Sequence, residues 1–158
     1  MDSSVKLLSR VSAAYAVKIE ADCTALPFVA RSFDRVVSTM TSTDFSDWGR
    51  AAREMSRVLS RDGELVLVVA HPCFAGISAH RNSEGAVLVD GEYSDLSYKD
   101  PRVFDRGIRA QVGARGMTLT ALMQPFLGAG LRLACLSEGV SDNGGPPHLL
   151  GLRFLASE

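Results

Sequence analysis

The stretch Glu64-Leu65-Val66-Leu67-Val68-Val69-Ala70 is apolar on both faces of any strand it forms. Such a strand needs cover above and below, as a central strand of a parallel sheet has. Its purely apolar part, Leu65 to Ala70, is the longest such run in the chain. It falls far short of the roughly 20 residues that span a bilayer. Just before it, Trp48, Ala51, Ala52, Met55, Val58 and Leu59 recur at helical spacing, while Arg50, Arg53, Glu54 and Arg57 fall mainly off that stripe. Ser46 or Asp47 is placed to start this helix, and Asp62-Gly63 to end it as a turn in which glycine takes a positive φ. A helix feeding a doubly buried strand is the repeating unit of α/β layer folds.

The remaining segments extend that pattern. Asp2, Ser3 or Ser4 can cap a first helix with Val5, Leu7, Leu8, Val11 and Ala14 on one broad face. Ala16 to Glu20 alternates and predicts a short strand, Ala21 to Ser32 a loop broken by Pro27, and Arg35 to Thr39 a second strand. Residues 71–116 are polar and rich in turn residues, with a hairpin expected near Val87 to Gly91. A connection that long is a lid or insertion rather than a second domain. Thr118 to Leu127 predicts a helix, and Leu131 to Leu136 and Leu149 to Leu155 two closing strands around the turn-rich Asp142 to Pro147. The whole chain, 1–158, is expected to form one α/β domain with a mostly parallel sheet and an antiparallel end.

Composition narrows the function classes. With 158 residues the chain can bury roughly 70% of its unfolded surface, so it needs no disulfide or metal for a core. Seventeen basic against 18 acidic residues give a net charge of −1, which favours neither nucleic acid nor an anionic membrane. Lys6 and Arg10 are followed by no apolar block, so no secretory signal is expected. Cys23, Cys73 and Cys135 lie far apart and are odd in number, which disfavours a disulfide framework and a Cys-x-x-Cys metal site. His71, His80 and His148 lack ligand spacing, so no metal is expected. A cytoplasmic setting fits these features. The first of the 14 glycines is Gly49, so the opening 48 residues hold no glycine-rich nucleotide loop.

Specific wording then points to a family. Ala21-Asp22-Cys23-Thr24-Ala25-Leu26-Pro27-Phe28 is followed by Ser32-Phe33-Asp34-Arg35-Val36-Val37-Ser38, by Glu54-Met55-Ser56-Arg57-Val58-Leu59, by Asp62-Gly63-Glu64-Leu65, and by His71-Pro72. In order and spacing this resembles the second half of a class I S-adenosylmethionine-dependent methyltransferase of the small-molecule type. The resemblance covers most of residues 1–72, and more loosely 117–156. It departs at Ala21, where the family has glycine before the acid, and at Asp62, where the family has a second glycine. It implies a Rossmann-like methyltransferase sheet, mostly parallel with an antiparallel C-terminal hairpin. It also implies that the chain is N-terminally truncated: the family's first strand, glycine-rich turn, next helix and most of the second strand have no counterpart here.

The resemblance assigns roles residue by residue. Asp22 would accept a hydrogen bond from the cofactor's adenine amino group, and the Cys23 backbone N–H would meet the ring. Leu26, with Phe28, would line the adenine slot; Ser38, Thr39 and Met40 would lie near the methionine end. Asp2 would stand where an acid holds the ribose hydroxyls. Each has a plainer alternative: a turn or cap for Asp22, core packing for Leu26 and Phe28, a strand exit for Ser38 and Thr39, a frayed end for Asp2. His71, after the central strand, could deprotonate an acceptor hydroxyl or amine, or serve only structurally.

The implied function is transfer of a methyl group from S-adenosylmethionine to a small-molecule acceptor, with residues 71–116 covering that acceptor and Tyr93, Tyr98 and Phe104 as candidate walls. The alternative is a non-catalytic methyltransferase-like remnant that binds a partner or its own copy. A nicotinamide dehydrogenase is disfavoured, because no Gly-x-Gly-x-x-Gly follows a strand. In the family, further strands lie between the segment at 16–20 and that at 35–39. Their absence implies unpaired sheet edges, a homodimer through those edges, and weakened cofactor binding.

Overall fold

The computed structural model describes residues 1–10, 12, 17–89, 93–105, 107–139 and 145–156. Its main sheet has four strands, β1 (Phe33–Thr39), β2 (Leu59–Ala70), β7 (Arg132–Glu138) and β8 (Leu149–Leu155), in the order β1-β2-β8-β7. β1 pairs with β2 in parallel; β2–β8 and β8–β7 are antiparallel. The antiparallel C-terminal hairpin thus closes one side of the sheet as expected. Among the described residues the parallel part is β1–β2 and one isolated bridge between Asp2 and Glu20. The sheet is therefore mixed where a mostly parallel one was expected, because the C-terminal hairpin supplies half of its strands.

Helices α2 (Trp48–Val58) and α4 (Leu119–Gly128) cover one face. Leu65, Leu67 and Val69 of β2 face them beside their register partners Phe154, Leu152 and Leu150. All six are buried. The α2 stripe of Trp48, Ala51, Ala52 and Met55 meets Leu122 and Phe126 of α4 in the same cluster. Trp48 stands edge-on to Phe126 at 5.7 Å and donates its indole N–H to the Leu122 carbonyl at 3.0 Å. That bond satisfies the one polar atom of an otherwise apolar ring. On the opposite face Val37 is 62% exposed.

Three further expectations are corrected. α2 stops at Val58, and Leu59 is already extended, so Asp62-Gly63 lies inside β2 and does not end the helix. Gly63 has no positive φ. It is needed for close approach: a Cβ there would sit 2.8 Å from the Leu59 side chain. The β1–β2 register jumps from Phe33–Leu59 to Arg35–Glu64, so the intervening residues bulge from the ladder. Second, Val17 to Ile19 form no strand; only Glu20 pairs, with Asp2, and Ala16 lies outside the described residues. Third, α1 (Val5–Arg10) buries none of its residues, and Val5 and Leu7 are exposed. Nothing described packs on that face enough to bury it; Val11 and Ala14 lie outside the described residues.

Residues 71–116 form two small two-stranded sheets. β3 (Ala79–Arg81) and β4 (Val87–Val89) make the expected hairpin, turned by the Asn82 side chain, which accepts from the amides of Glu84 and Ala86. Its predicted end, Asp90-Gly91, lies outside the described residues, as do Asp142 to Gly144 of the later turn. β5 (Tyr98–Lys99) pairs with β6 (Ala114–Arg115) across a 3-10 turn and the short α3 (Arg109–Val112).

Candidate active site

Two aspartates close two parallel segments. The Asp2 amide donates to Ile19 O at 3.2 Å, and the Ala21 amide donates to Asp2 O at 3.1 Å, so Asp2 and the run into Asp22 lie side by side. Each aspartate then makes the same turn. Asp2 Oδ1 accepts from the Ser4 amide at 2.8 Å, and Asp22 Oδ1 from the Thr24 amide at 2.8 Å. The Thr24 amide, ahead of its hydroxyl, holds the Asp22 carboxyl below its ordinary range. The turn thereby fixes an ionised, exposed acceptor just past the paired segment.

Behind Asp22, Cys23 is half-buried against the core cluster. Burial, then the Asp22 charge, pushes its thiol up to about 11. Leu26 is buried, though it also lines an open depression beside α2. Phe28 stands edge-on to Phe33 at 4.9 Å.

The following loop is gripped by α2. The Leu26 amide donates to Glu54 Oε2 at 2.8 Å, and the Arg50 Nε–H donates to Thr24 O at 2.8 Å. Arg57 donates to Phe28 O at 2.8 Å and Leu26 O at 3.1 Å, and its Nε–H and one Nη also meet Glu54 at 2.7 and 2.8 Å. Arg57 lowers the Glu54 carboxyl's pKa, and Glu54 raises that of Arg57. Beside this grip a solvent-open depression of about 830 Å³ is lined by Thr24, Ala25, Leu26 and the polar side of α2. In the sequence these α2 charges form an off-stripe face whose spacing is visible, while their partners on the Thr24–Phe28 loop are not.

At the exit of β1, Ser38 and Thr41 share a hydroxyl hydrogen bond of 2.6 Å, and Thr39 is exposed. Met40 between them has φ 56°, a left-handed conformation that costs a non-glycine residue on the order of 1 kcal/mol or more. Its amide donates to Val68 O at 2.7 Å, which holds the kink in place. The insertion docks on this exit. The Arg115 amide donates to Thr43 O at 2.9 Å, and Arg109 pairs with Asp44.

His71 follows β2 as expected, but it is buried and both ring nitrogens are engaged. Nδ1 accepts from the Cys73 amide at 3.2 Å, so in the neutral ring the proton is on Nε2, directed at Glu138 Oε1 2.9 Å away. The His71 amide also donates to His148 O at 2.8 Å. So engaged, the ring joins the ends of β2, β7 and β8, an arrangement that favours the structural alternative over a base. Tyr93 ties the insertion to α4 by accepting from the Leu119 amide at 2.8 Å; the Cys73 thiol lies 3.7 Å from the same oxygen. Tyr98 instead turns back on the insertion and donates to Val112 O at 2.9 Å. Among the described residues no three His, Cys, Asp or Glu side chains gather as a metal ligand set. No helix of the described residues is long and apolar enough to cross a membrane.

The first 67 residues match the family model of a methyltransferase domain. No curated protein matches the chain. Among solved structures, the S-adenosylmethionine-dependent methyltransferase of Mesorhizobium loti superposes with a TM-score of 0.74 at 18% identity, over 96% of this chain and 77% of that one. A Listeria monocytogenes protein assigned to the same class gives 0.75 at 15% identity, over 98% and 78%. The Burkholderia thailandensis 1,6-didemethyltoxoflavin-N1-methyltransferase, solved with S-adenosylhomocysteine, gives 0.52 at 14%, over 89% and 50%. In the sequence of its first 67 residues and in the fold of nearly all of it, this chain resembles the class I S-adenosylmethionine-dependent methyltransferases.

Proposed function

We propose that the chain is an S-adenosylmethionine-dependent methyltransferase acting on a small-molecule acceptor. The observation that carries this reading is the pair of aspartates on adjacent parallel segments, Asp2 and Asp22, at the positions where the family holds ribose and adenine. The residues present fit such a ligand: Asp22 offers an exposed, ionised acceptor to an exocyclic amine, and Asp2 a half-buried one to hydroxyls. Bound there, the cofactor supplies an activated methyl on a sulfonium. The protein's part is alignment, which dominates when leaving group and acceptor are held in line. Ser38 to Thr41 shape the strand exit beside it, and residues 71–116, fastened to Thr43 and Asp44, cover the acceptor as a lid. His71 braces the floor of that lid.

The test is transfer of label from methyl-tritiated S-adenosylmethionine to a pool of small nucleophiles. Transfer that falls to background in Asp22→Ala supports the reading, and no transfer by the native chain contradicts it. The partner-binding alternative draws on β1, which pairs only with β2 among the described strands and exposes Val37. It takes the form of a homodimer across that edge, and light scattering at twice the monomer mass is its signature.

A further inference from the structure

We infer that Glu54 and Arg57, with Arg50, are positioning residues for the cofactor's adenine end: they clamp the loop that presents Asp22 and Cys23. The inference rests on the cofactor reading above. Two pieces of sequence, Leu26-Pro27-Phe28 and Glu54 to Leu59, are 26 or more positions apart and have no evident reason to occur together. The geometry supplies one. Arg57 spans the proline, donating to the carbonyls on either side of it, Leu26 O and Phe28 O. Glu54 takes the Leu26 amide and holds the guanidinium in plane by a two-pronged pair. Arg57 can do this because its donors form a rigid fork; a lysine ammonium cannot serve two carbonyls and a carboxylate with that geometry. Pro27, with no N–H, leaves no donor unanswered and fixes its own φ.

The backbone adds two further ties, from the Arg31 amide to Arg57 O and the Ser32 amide to Val58 O, both 2.9 Å. Arg50 holds Thr24 O, whose own amide fixes the Asp22 carboxylate. Every residue from Thr24 to Phe28 except Ala25 and Pro27 therefore has a backbone group hydrogen-bonded to an α2 side chain. Such bonds to charged groups are stronger than neutral ones, and a loop held in advance loses less freedom when a ligand arrives. Glu54, Arg57 and Arg50 touch no reacting atom in this scheme. They act through Asp22 and Cys23.

The experiment compares the native chain with Arg57→Ala, Arg57→Lys and Arg53→Ala, the last on the same helix but outside the clamp. Hydrogen exchange at the Leu26 amide is read in the free protein, and S-adenosylhomocysteine affinity by calorimetry. The expected result is a Leu26 amide that exchanges at least tenfold faster in Arg57→Ala while the amides of α2 keep their protection. Affinity for S-adenosylhomocysteine falls about tenfold, Arg57→Lys stands between, and Arg53→Ala behaves as native. If Leu26 loosens in a folded Arg57→Ala but affinity is unchanged, the clamp is structural only and the inference fails. If neither moves, the clamp itself is refuted. Failure of the native chain to bind S-adenosylhomocysteine overturns the cofactor reading, and the inference with it, while leaving the exchange result standing as a fact about the loop.

Discussion

The loop at Thr24–Phe28 and the insertion at 71–116 both lie outside the main sheet, yet they are held in different ways. The loop is fastened by Arg50, Glu54 and Arg57 to a helix whose other side is core. The insertion is made of two-stranded pieces, and its ties to the frame among the described residues include Arg109 with Asp44, Arg115 with Thr43, Tyr93 with Leu119 and His71 with Glu138. If the proposed function holds, the loop is a fixed surface for the cofactor and the insertion a lid that opens. Stability is then expected to be distributed accordingly, because segments that move are drawn from the weakly held parts of a fold.

The sharpest way to break this contrast is by truncation of aromatic rings. Phe126→Ala removes a fully buried ring that meets both Trp48 and Phe154, and is expected to cost about 3–5 kcal/mol. Phe104→Ala, in the insertion and half-buried, should cost about 1 kcal/mol or less. Equal losses in denaturant titration would erase the distinction between frame and lid. A smaller effect probes the joint itself. Tyr93→Phe deletes the acceptor of the Leu119 amide and should cost about 1 kcal/mol, concentrated in faster hydrogen exchange of residues 93–115. A loss spread evenly over β2 and α4 would mean the insertion unfolds only with the frame.

How much of this was legible in the sequence follows the same division. The α2 stripe, the run from Glu64 to Ala70 and the closing hairpin were readable because burial periodicity is a local signal. Even so, β2 begins already at Leu59 and buries alternate residues on one face rather than both. The end of α2 was not, since Asp62-Gly63 looks like a helix stop and the true reason for Gly63 is contact with Leu59. Val17 to Ile19 alternate like a strand, but pairing needs a neighbour, and only Glu20 finds one in Asp2. At the site, Asp22 was legible through its family wording. The clamp on its loop and the engagement of both His71 nitrogens were not, because Glu54 and Glu138 reach their partners across 28 and 67 positions.

Thiol chemistry sharpens the picture further. Cys23, half-buried with its thiol near 11, should alkylate with iodoacetamide well after the exposed Cys135 at pH 8. Comparable rates would place Cys23 outside the packed frame. The smallest effect is in the insertion. Lys99, ahead of the Ser97 amide, holds the Asp95 carboxyl at about 2, below its ordinary 3.8. Its stabilising contribution is therefore present above pH 4 and lost as pH falls toward 2. Carboxyl resonances of Asp95 should report that midpoint, and Lys99→Ala should return it toward 3.8. A native Asp95 midpoint already at 3.8 would refute the pairing.

The central claim is that Asp22 presents an ionised acceptor to the adenine end of the cofactor. Calorimetric titration of the native chain and of Asp22→Ala with S-adenosylhomocysteine tests it most directly. Loss of a hydrogen bond to a charged group predicts roughly ten- to hundredfold weaker binding in a variant that melts like the native chain. Equal affinity in the two would remove Asp22 from the site and contradict the account.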